Sequence, residues 1–333
     1  MIQTRQARHY RALPRCFRRP RLLIIGCGDI GQRTVRHLPH GWQIIGLAQH
    51  DDTLQSIRAS GARALRADDH DSRHPTARPG RRHHTLPRRL AGWATHILHA
   101  APPTSHDGDI TDLLTRCWLR ALAGARASRV TRRPARRLVY LSTTGVYGDR
   151  GGAWTAETDP PRPLTERARR RVNAEQQIRQ AARTGLIAPI ILRTPGIYAA
   201  DRLPVTRLQQ RIPALSAADD VVTNHIHADD LARIARTALL RGPHPRTINA
   251  VDDSQLHLGD YLDLVADRLG LPRPPRQSRA SLQATLSPVR MSFMRESRRL
   301  HNRRLKQELR VALRWPTVQR FLARMPSPPN TAD

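Results

Sequence analysis

The amino-acid sequence predicts an α/β fold, a doubly wound parallel sheet followed by a small carboxyl-terminal α+β lobe. Three observations predict it. Apolar runs without polar alternation recur through the first 193 residues, helix-length segments separate these runs, and a glycine-rich turn joins the first run to the first helix. Strands that are buried on both faces of a parallel sheet read as continuous apolar runs. Strand–helix alternation of this kind places helices on both faces of the sheet through right-handed crossovers.

The predicted strands and helices follow one another at short intervals. Strands are expected at 22–25, 42–48, 62–67, 95–100, 136–142 and 186–193, and helices at 30–38, 52–60, 108–126 and 164–183. The segment 70–90 departs from this pattern because it carries three prolines and four histidines. We expect a solvated loop or a poorly formed helix there. His83 and His84 lack the ligand spacing of a metal site.

The chain is expected to divide into four parts. These are a disordered basic extension at 1–20, the sheet domain at 21–193, a lobe at 194–325 with elements that return to the sheet, and a tail at 326–333. Within the lobe, helices are expected at 257–269 and 296–310, separated by the proline-rich stretch 271–278. The lobe would cover the carboxyl edge of the sheet.

The formal net charge is +30, and Lys306 is the single lysine among 57 basic residues. A solvated arginine-rich surface is the simplest interpretation, and a nucleic-acid footprint is the alternative. The sequence carries no zinc-finger spacing, no aromatic RNA-binding signature and no basic helix followed by heptads. We therefore expect no specific nucleic-acid partner.

The three cysteines, Cys16, Cys27 and Cys117, are widely spaced and form no C-x-x-C motif. This usage fits a reducing compartment and argues against a disulfide framework. No apolar run approaches the roughly 20 residues that a membrane span requires. A cytoplasmic protein without a membrane partner is the expectation.

The first turn has the pattern G-x-G-x-x-G, with Gly26, Gly28 and Gly31 as its glycines and Asp29 and Ile30 between the last two. In a strand–turn–helix unit, the first glycine allows the tight turn and the second lets the backbone approach a pyrophosphate. The third glycine permits close helix–strand packing. The helix amino terminus then faces the phosphates with its free N–H groups. We therefore expect dinucleotide binding here, with a purely structural glycine turn as the alternative.

The choice of cofactor depends on the residues that follow the second strand. An NAD site usually has an acidic residue about 20 residues after the turn, which binds the ribose 2′-hydroxyl. Ala48 and Gln49 stand at that place, and Asp51 and Asp52 come later, where one of the two is expected to cap the next helix. No arginine stands in this stretch to bind a 2′-phosphate. The absence of a repelling carboxylate favours NADP slightly over NAD.

Several longer motifs resemble one family. They are "HAAPP" (99–103), "LVYLSTTGVYGDRGGAWTAETDPPRP" (138–163), "ILRTPGIYAADRLP" (191–204), "NHIHADDLA" (224–232) and the tail 296–322. Together they resemble the atypical extended short-chain dehydrogenases/reductases, which are NAD-dependent epimerase/dehydratase-like proteins, in the branch of nucleoside-diphosphate-sugar epimerases. The resemblance implies a Rossmann domain that carries NAD(P), and a small or nucleotide-linked carbonyl or alcohol substrate. It also implies cofactor contacts beyond the turn, at Gln49, Asp68, Ala100, Ala101, Pro195, Gly196 and Ile197.

The same resemblance assigns substrate positioning to Thr143, but the catalytic pair of the family is missing. The window 163–176 places Arg167 at the position of the catalytic tyrosine and Arg171 at that of the lysine. An arginine stays protonated, so Arg167 cannot exchange a proton with a carbonyl group. Tyr147 is the first candidate for a substitute acid. Tyr198 is the second candidate, and Tyr140 is expected in the core.

Arg167 and Arg171 are four residues apart and share one face of the predicted helix. They would clamp a phosphate, a carboxylate or a nicotinamide ribose if that face lines the cleft, or else form a solvent-facing pair. Because the usual acid is missing, a cofactor-bound sensor or scaffold without turnover is the alternative to an enzyme.

His225 and His227 lie on one side of an extended segment and, with Asp229, raise the question of a metal site. The resemblance implies a structural role for them, with Asp230 capping the next helix, and we expect no metal. The sequence leaves the substrate, the reaction direction and the oligomeric state open, and an oligomer is possible.

Overall fold

A computed structural model describes residues 19–67, 85–104, 109–127, 135–292 and 294–326. The predicted extension, apart from residues 19 and 20, lies outside these ranges, as do most of the predicted tail, Asp68, His83 and His84.

The described residues contain fifteen strands. In chain order they are β1 (Arg21–Ile25), β2 (Gln43–Ala48), β3 (Arg63–Arg66), β4 (His96–His99), β5 (Arg136–Thr143), β6 (Trp154–Thr155), β7 (Ile187–Thr194), β8 (Gly196–Tyr198), β9 (Ala214–Leu215), β10 (Val222–Thr223), β11 (His225–His227), β12 (Arg246–Asn249), β13 (Leu256–His257), β14 (Arg276–Gln277) and β15 (Arg299–Leu300). Seven of them form one parallel sheet in the order β12-β7-β5-β4-β1-β2-β3. The order reverses beside β1, as in a doubly wound Rossmann sheet. The predicted fold class is confirmed.

In the part of the chain that the structure describes, twelve α-helices connect the strands or belong to the lobe. They are α1 (Asp29–His37), α2 (Asp51–Ala59), α3 (Thr85–Trp93), α4 (Leu113–Ala127), α5 (Glu166–Arg183), α6 (Val205–Gln209), α7 (Ala228–Arg241), α8 (Leu258–Leu269), α9 (Arg279–Thr285), α10 (Pro288–Ser292), α11 (Arg303–Gln307) and α12 (Val318–Arg324). None of these helices is long and apolar enough to cross a membrane, over the residues that the structure describes.

The first strand shows why the apolar runs predict this sheet. Leu22 and Ile24 are buried in the cluster on one face, and Leu23 and Ile25 are buried in the cluster on the other. A strand with helices against both of its faces has no solvent side, so its sequence shows no polar alternation.

The sheet extends beyond the predicted boundary at residue 193. Strand β12 pairs with β7, and helix α7 packs against α1 on one face of the sheet. Both elements belong to the part of the chain that was predicted as the lobe with returning elements. The remainder of the lobe has its own apolar cluster, which includes Leu208, Leu262 and Phe321.

Two predicted segments fold differently. Helix α3 occupies the end of the segment that was expected to be a loop or poorly formed helix, because its buried Leu90 and Ala91 join the core cluster that also contains residues of α4. The helix expected at 296–310 is instead the strand β15 followed by the short helix α11. Arg299 and Leu300 are extended because they pair with β6, and this long-range pairing overrides the helical pattern.

Candidate functional site

A cleft of about 750 Å³ opens at the carboxyl ends of the sheet strands, between the sheet and the lobe. Its wall includes the glycine turn after β1, the residues that end β5 and β7, and the first turns of α5. Lobe residues complete the wall, among them those from 222 to 225 and Tyr261. Ligands of open α/β sheets bind in this crevice, where the strand order reverses.

Each glycine of the turn has a distinct geometry. Gly26 has φ +79°, and a Cβ built on it would lie 2.5 Å from the backbone of Ala101. A Cβ on Gly28 would meet nothing within 4 Å, so this face of the backbone is open. A Cβ on Gly31 would lie 3.1 Å from Ile24 Cγ2, where α1 packs closely on β1. This geometry suits a tight turn, an open cradle and a close helix–strand contact, in that order.

The amino terminus of α1 has no side-chain cap. Gly28 occupies the N-cap position and offers no side chain to the first N–H groups, whereas Thr165 caps α5 and Thr317 caps α12. Because the turn lines the cleft, these N–H groups and the positive end of the helix dipole suit a diphosphate. The residues present therefore fit the pyrophosphate of a dinucleotide.

Asp29 brings a carboxylate into this turn, and two arginines partly balance its charge. Arg33 Nε lies 2.6 Å from Asp29 Oδ1, and Arg202 Nη1 lies 2.8 Å from Asp29 Oδ2. Arg33 also donates hydrogen bonds to Asp201 and Asp229, so the turn, α7 and the lobe share one ion-pair network. The balance reduces repulsion between the carboxylate and a bound diphosphate.

The predicted cofactor contacts separate into two groups. Ile30, Ala100, Pro195, Gly196 and Ile197 line the cleft together with the turn. Ala101 and Gln49 are not part of its lining.

Ala101 is buried, and its backbone instead supports Gly26 from behind. Gln49 is exposed directly after β2. Asp68 lies outside the described residues.

The residues after β2 correct two predictions. An arginine does reach this place: Arg66, the last residue of β3, donates from Nη1 to the Gln49 carbonyl at 2.6 Å and pairs with Asp51. Asp51 and Asp52 are the first residues of α2 and do not cap it, because the N-cap is His50, which makes no side-chain cap bond. The parallel pairing of β3 with β2 brings Arg66 from a distant part of the sequence.

Thr143 ends β5 at the cleft. Its hydroxyl oxygen accepts the N–H of Gly145 at 3.2 Å and caps a short 3₁₀ helix, Thr144–Tyr147. The side chain is half-buried and lines the cleft, as the predicted substrate contact requires.

Arg171 lies in the cleft wall and is held by three oxygen atoms. Its Nη1 donates to the carbonyls of Leu141 at 2.8 Å and Ala101 at 3.3 Å, and to the Tyr140 hydroxyl at 3.0 Å. Burial raises the pKa of the Tyr140 phenol to about 12, although Arg171 acts in the opposite direction. Tyr140 is fully buried, as expected, and stays protonated at neutral pH.

Arg167 lines the cleft one helical turn before Arg171 and is largely exposed. Both members of the predicted pair therefore face the cleft. The alternative prediction, in which both arginines point only to bulk solvent, is therefore wrong. Two guanidinium groups in the wall of the cleft favour a ligand that carries negative charge.

Tyr147 does not line the cleft, which contradicts its predicted role as a substitute acid. Its side chain is fully buried, and its hydroxyl donates to Asn249 Oδ1 at 2.7 Å. The Arg193 guanidinium lies 4.6 Å from the ring centroid. Burial raises the pKa of this phenol, with Arg193 opposing the rise. A phenol held in this way cannot reach a ligand in the cleft.

The segment 225–230 was expected to be structural, and one detail of that expectation was wrong. His227 caps α7, because its Nδ1 accepts the N–H of Asp229 at 3.2 Å. Asp230 instead accepts hydrogen bonds from the N–H groups of Arg314 at 2.9 Å and Trp315 at 2.8 Å. It therefore holds the segment that precedes α12 against α7. Within the described ranges, no group of three or more His, Cys, Asp or Glu side chains is arranged to hold a metal ion.

The cleft contains side chains from the lobe that the sequence reasoning did not assign to it. They include Arg202, Asn224, His225, Tyr261 and Arg298. Two of these five, Asn224 and His225, belong to the motif "NHIHADDLA", so the sequence could have indicated them. The positions of the other three depend on how the lobe folds over the sheet.

A buried ion pair supports the cleft floor from below. Arg193 on β7 donates from Nη2 to Glu175 Oε2 at 2.8 Å, and Ser142 Oγ donates to Glu175 Oε1 at 2.7 Å. Burial acts to raise the pKa of Glu175, but the hydrogen bond and the charge of Arg193 outweigh it, so that pKa is lowered. Glu175 therefore stays ionised and fixes the ends of β5 and β7 relative to α5.

A model of the NAD dependent epimerase/dehydratase family matches residues 23–250, well over half of the chain. The chain belongs to this family. A search of curated protein sequences finds none that matches the chain. The matched range includes the glycine turn, Thr143, Arg167 and Arg171, so the family assignment covers the sheet side of the cleft.

Solved structures that resemble this chain include sugar-nucleotide epimerases with bound ligands. A functionally unknown conserved protein from Silicibacter pomeroyi is 31% identical, with a TM-score of 0.71, over 91% of this chain and 96% of its own. UDP-glucuronic acid 4-epimerase from Bacillus cereus, in complex with UDP-glucuronic acid and NAD, is 16% identical with a TM-score of 0.68, over 91% and 96%. UDP-glucose 4-epimerase from Thermotoga maritima with UDP-glucose is 15% identical with a TM-score of 0.65, over the same shares. The two epimerases share the Rossmann-like fold of this chain.

Proposed function

We propose that this protein is an NAD(P)-dependent oxidoreductase or epimerase-like enzyme that acts on a small or nucleotide-linked carbonyl or alcohol substrate. The observation that carries the proposal is the cleft at the strand ends, in which an open glycine turn and Thr143 line one continuous wall. The family membership and the sugar-nucleotide complexes of the two epimerases support the substrate class. We further propose the cytoplasm as the location, since Cys27 and Cys117 are free thiols.

Each part of the cleft has a task in this proposal. A bound nicotinamide supplies hydride acceptance or donation at its ring. The N–H groups of the turn hold the diphosphate, and Thr143 donates a hydrogen bond to the reacting oxygen of the substrate. Arg167 donates hydrogen bonds to the same oxygen or to an anionic group beside it, without giving up its proton. Arg171 fixes the floor through its bonds to Leu141 and Ala101.

One observation favours a second function, a cofactor-bound sensor or scaffold without turnover. Arg167 and Arg171 replace a proton-exchanging pair, and Tyr140 and Tyr147 are buried away from the cleft. Tyr198 and Tyr261 do line the cleft, but both side chains are buried and burial raises the pKa of each phenol. In that case the dinucleotide would bind and shift the position of the lobe without any hydride exchange.

The experiment that separates the two functions has two stages. NADH and NADPH are first titrated by their fluorescence. The loaded protein is then incubated with UDP-glucose and UDP-glucuronic acid, and nicotinamide absorbance and product identity are followed. The enzyme is supported if the unchanged protein shows turnover and Thr143→Ala lowers it by about 100-fold, since a lost transition-state hydrogen bond costs about 3 kcal/mol. Tyr147→Phe should leave the turnover within about threefold of the unchanged protein. Cofactor binding without hydride exchange supports the sensor, and failure to bind either dinucleotide overturns both.

We infer that the preferred cofactor is NADP, and that Arg66 binds its 2′-phosphate. Arg66 lies at the carboxyl end of β3, against the carbonyl of Gln49, where the adenosine ribose of a bound dinucleotide is expected. Its pairing with Asp51 is exposed, with 83% of the Asp51 side chain accessible, so the pair is weak and exchangeable. A phosphate offers the guanidinium a bidentate partner in place of that carboxylate.

Arg66→Gln is expected to weaken NADPH binding by about 10- to 150-fold, because a hydrogen-bonded charge pair with phosphate contributes about 1.5–3 kcal/mol. NADH binding should stay within about twofold. Dissociation constants for both dinucleotides, measured by fluorescence at one fixed salt concentration, check this expectation.

Arg63→Gln is the matched control, since it removes an exposed arginine from the opposite end of the same strand. Equal losses in the two variants would assign the effect to the general positive charge of the protein. Tighter binding of NADH than of NADPH by the unchanged protein would contradict the preference for NADP.

A further inference from the structure

Arg202 lines the cleft from the lobe, and the proposed function does not use it. The residue ends a short 3₁₀ helix, Ala200–Arg202, that follows β8. Its N–H donates to the Ala199 carbonyl at 3.0 Å, and both Ala199 and Leu203 are buried. The backbone is therefore anchored on both sides of Arg202, whereas its side chain lines the cleft and is 36% exposed.

The guanidinium of Arg202 lies at the amino end of α1. Its Nη1 donates to Asp29 Oδ2 at 2.8 Å, and Asp29 is the first residue of that helix. The N–H groups without a side-chain cap are at the same helix end, where Gly28 and Asp29 line the cleft. A single ion pair therefore connects the guanidinium to the helix end that suits a diphosphate.

Of the two arginines that pair with Asp29, Arg202 has donors left for a ligand. Arg33 donates to three carboxylates, and its side chain is only 12% exposed. It does not line the cleft. Among the described residues, Arg202 donates from Nη1 alone, so Nε and Nη2 remain for another acceptor. A guanidinium presents its donors as a fork that binds phosphate oxygens in pairs.

The charge at this helix end also calls for Arg202. Arg33 is shared among three carboxylates, so it balances the charge of Asp29 only in part. A diphosphate would add further negative charge beside that carboxylate. A guanidinium placed between the carboxylate and the diphosphate attracts both and offsets their repulsion.

We propose that Arg202 binds the diphosphate of a bound dinucleotide, together with the N–H groups of α1. The diphosphate is then held by the glycine turn and the lobe at once, so that cofactor binding holds the lobe against the sheet. UDP-glucose also carries a diphosphate, but the dinucleotide is the favoured source because Asp29 belongs to the glycine turn. The proposal rests on the proposed function, because it needs a dinucleotide in the cleft.

The test measures the affinities of the unchanged protein and Arg202→Gln by calorimetry at one salt concentration. The ligands are NADH, NADPH, UDP-glucose and ADP-ribose, which keeps the diphosphate and lacks the nicotinamide. We expect Arg202→Gln to weaken binding of NADH, NADPH and ADP-ribose by about 10-fold each. This is the lower end of what a hydrogen bond to a charged group contributes, since Arg202 is partly exposed. Arg202→Lys keeps the charge and should recover part of the loss.

Asp201→Asn is the matched control. Asp201 belongs to the same 3₁₀ helix and connects the lobe to α1 through Arg33 Nη2, at 2.8 Å, with 63% of its side chain exposed. Its carboxylate has no donor for a phosphate, so the variant should bind the dinucleotides within about twofold of the unchanged protein. The ³¹P resonances of the bound NADPH diphosphate should move in Arg202→Gln and stay in place in Asp201→Asn. Thermal melting of each variant checks that it is folded.

A second comparison separates a contact with the diphosphate from simple balancing of the charge of Asp29. Asp29→Asn removes this charge and keeps the shape of the side chain. Arg202→Gln should cost about the same 10-fold in the Asp29→Asn background as in the unchanged protein, because the diphosphate contact does not depend on the carboxylate. A loss that disappears in this background would mean that Arg202 only balances Asp29.

Several results would overturn the proposal while leaving the proposed function intact. They are unaltered dinucleotide affinity in a folded Arg202→Gln protein, an equal loss in Asp201→Asn, and a loss that Asp29→Asn abolishes. A loss for NADPH alone would assign Arg202 to the 2′-phosphate, and a loss for UDP-glucose alone would assign it to the substrate. Failure of the unchanged protein to bind NADH or NADPH at all would instead show that the proposed function is wrong.

Discussion

Gly28→Ala is expected to fold like the unchanged protein and to lose about 10- to 100-fold in affinity for NADH and NADPH. A methyl group at this position meets nothing within 4 Å and the backbone is extended, with φ −78°, so the fold accommodates it. The methyl would instead occupy the space that a diphosphate needs in order to reach the N–H groups of α1. A loss of this size corresponds to about 1.4–2.7 kcal/mol, which lies within the roughly 1–3 kcal/mol that overpacking of a close contact costs.

The matched variant is Gly26→Ala, in which the fold itself should fail first. Gly26 has φ +79°, and its new Cβ would lie 2.5 Å from backbone atoms of Ala101. A left-handed alanine and a backbone clash together should lower the free energy of unfolding by at least about 3 kcal/mol.

Fluorescence titration and thermal melting of both variants separate these effects. Gly28→Ala should change the affinity without changing the melting temperature, and Gly26→Ala should change the melting temperature. Unaltered dinucleotide affinity in a folded Gly28→Ala protein would show that the turn does not hold a diphosphate.

The sequence predicts the centre of the sheet well because the physical signal there is local. Each central strand is buried on both faces, and a buried strand has to be apolar along its whole length, as Leu22 to Ile25 show. The edge strand β12 has the sequence RTIN, with a single apolar residue, so no apolar run predicts a strand there. It is a strand because β7 offers it an unpaired edge, which is a property of the assembled sheet.

The sequence predicts those parts of the candidate site that a single segment supplies. It does not predict the parts at which residues from distant segments meet. The turn directly follows β1 and Thr143 is the last residue of β5, so their place at the sheet edge follows from topology. Arg66 is different, because only the register between β2 and β3, which pairs it with Ala48, brings it beside Gln49. Arg202 likewise reaches Asp29 from the lobe across 173 positions of sequence.

Tyr147 shows the limit of reasoning from a motif. Its place in "VYG" predicts a side chain near the substrate, but the 3₁₀ helix that starts after Thr143 turns the phenol toward Asn249 and Arg193. The direction of a side chain in a one-turn helix depends on backbone angles that residue spacing does not specify.

Glu175→Ala is expected to lower the free energy of unfolding by about 3–5 kcal/mol, the usual cost of leaving a buried charge without its partner. Glu175 is fully buried, and the variant would leave the guanidinium of Arg193, which is 1% exposed, without its carboxylate partner. Glu166→Gln is the control on the same helix. It breaks a pair with Arg170 of equal length, 2.8 Å, but the Glu166 side chain is 66% exposed, so the cost should stay below about 1 kcal/mol.

The pH dependence of the free energy of unfolding provides a second test of this prediction. The pKa of Glu175 in the folded protein lies below its ordinary value of 4.5, because Arg193 outweighs the effect of burial. The unfolded chain therefore binds more protons as the pH falls from the ordinary value toward the folded one, and the contribution of Glu175 to stability, present above pH 4.5, is lost in that range.

Urea unfolding at several pH values should show a steeper acid loss of stability for the unchanged protein than for Glu175→Ala. The double variant Glu175→Gln, Arg193→Met removes both charges and should recover most of the stability, because no unpaired charge remains buried. Equal stability losses in Glu175→Ala and the double variant would mean that packing, and not the ion pair, holds α5 against the ends of β5 and β7. In that case the floor of the cleft would owe its rigidity to the apolar contacts of Ile178 and Ala174 in the same helix.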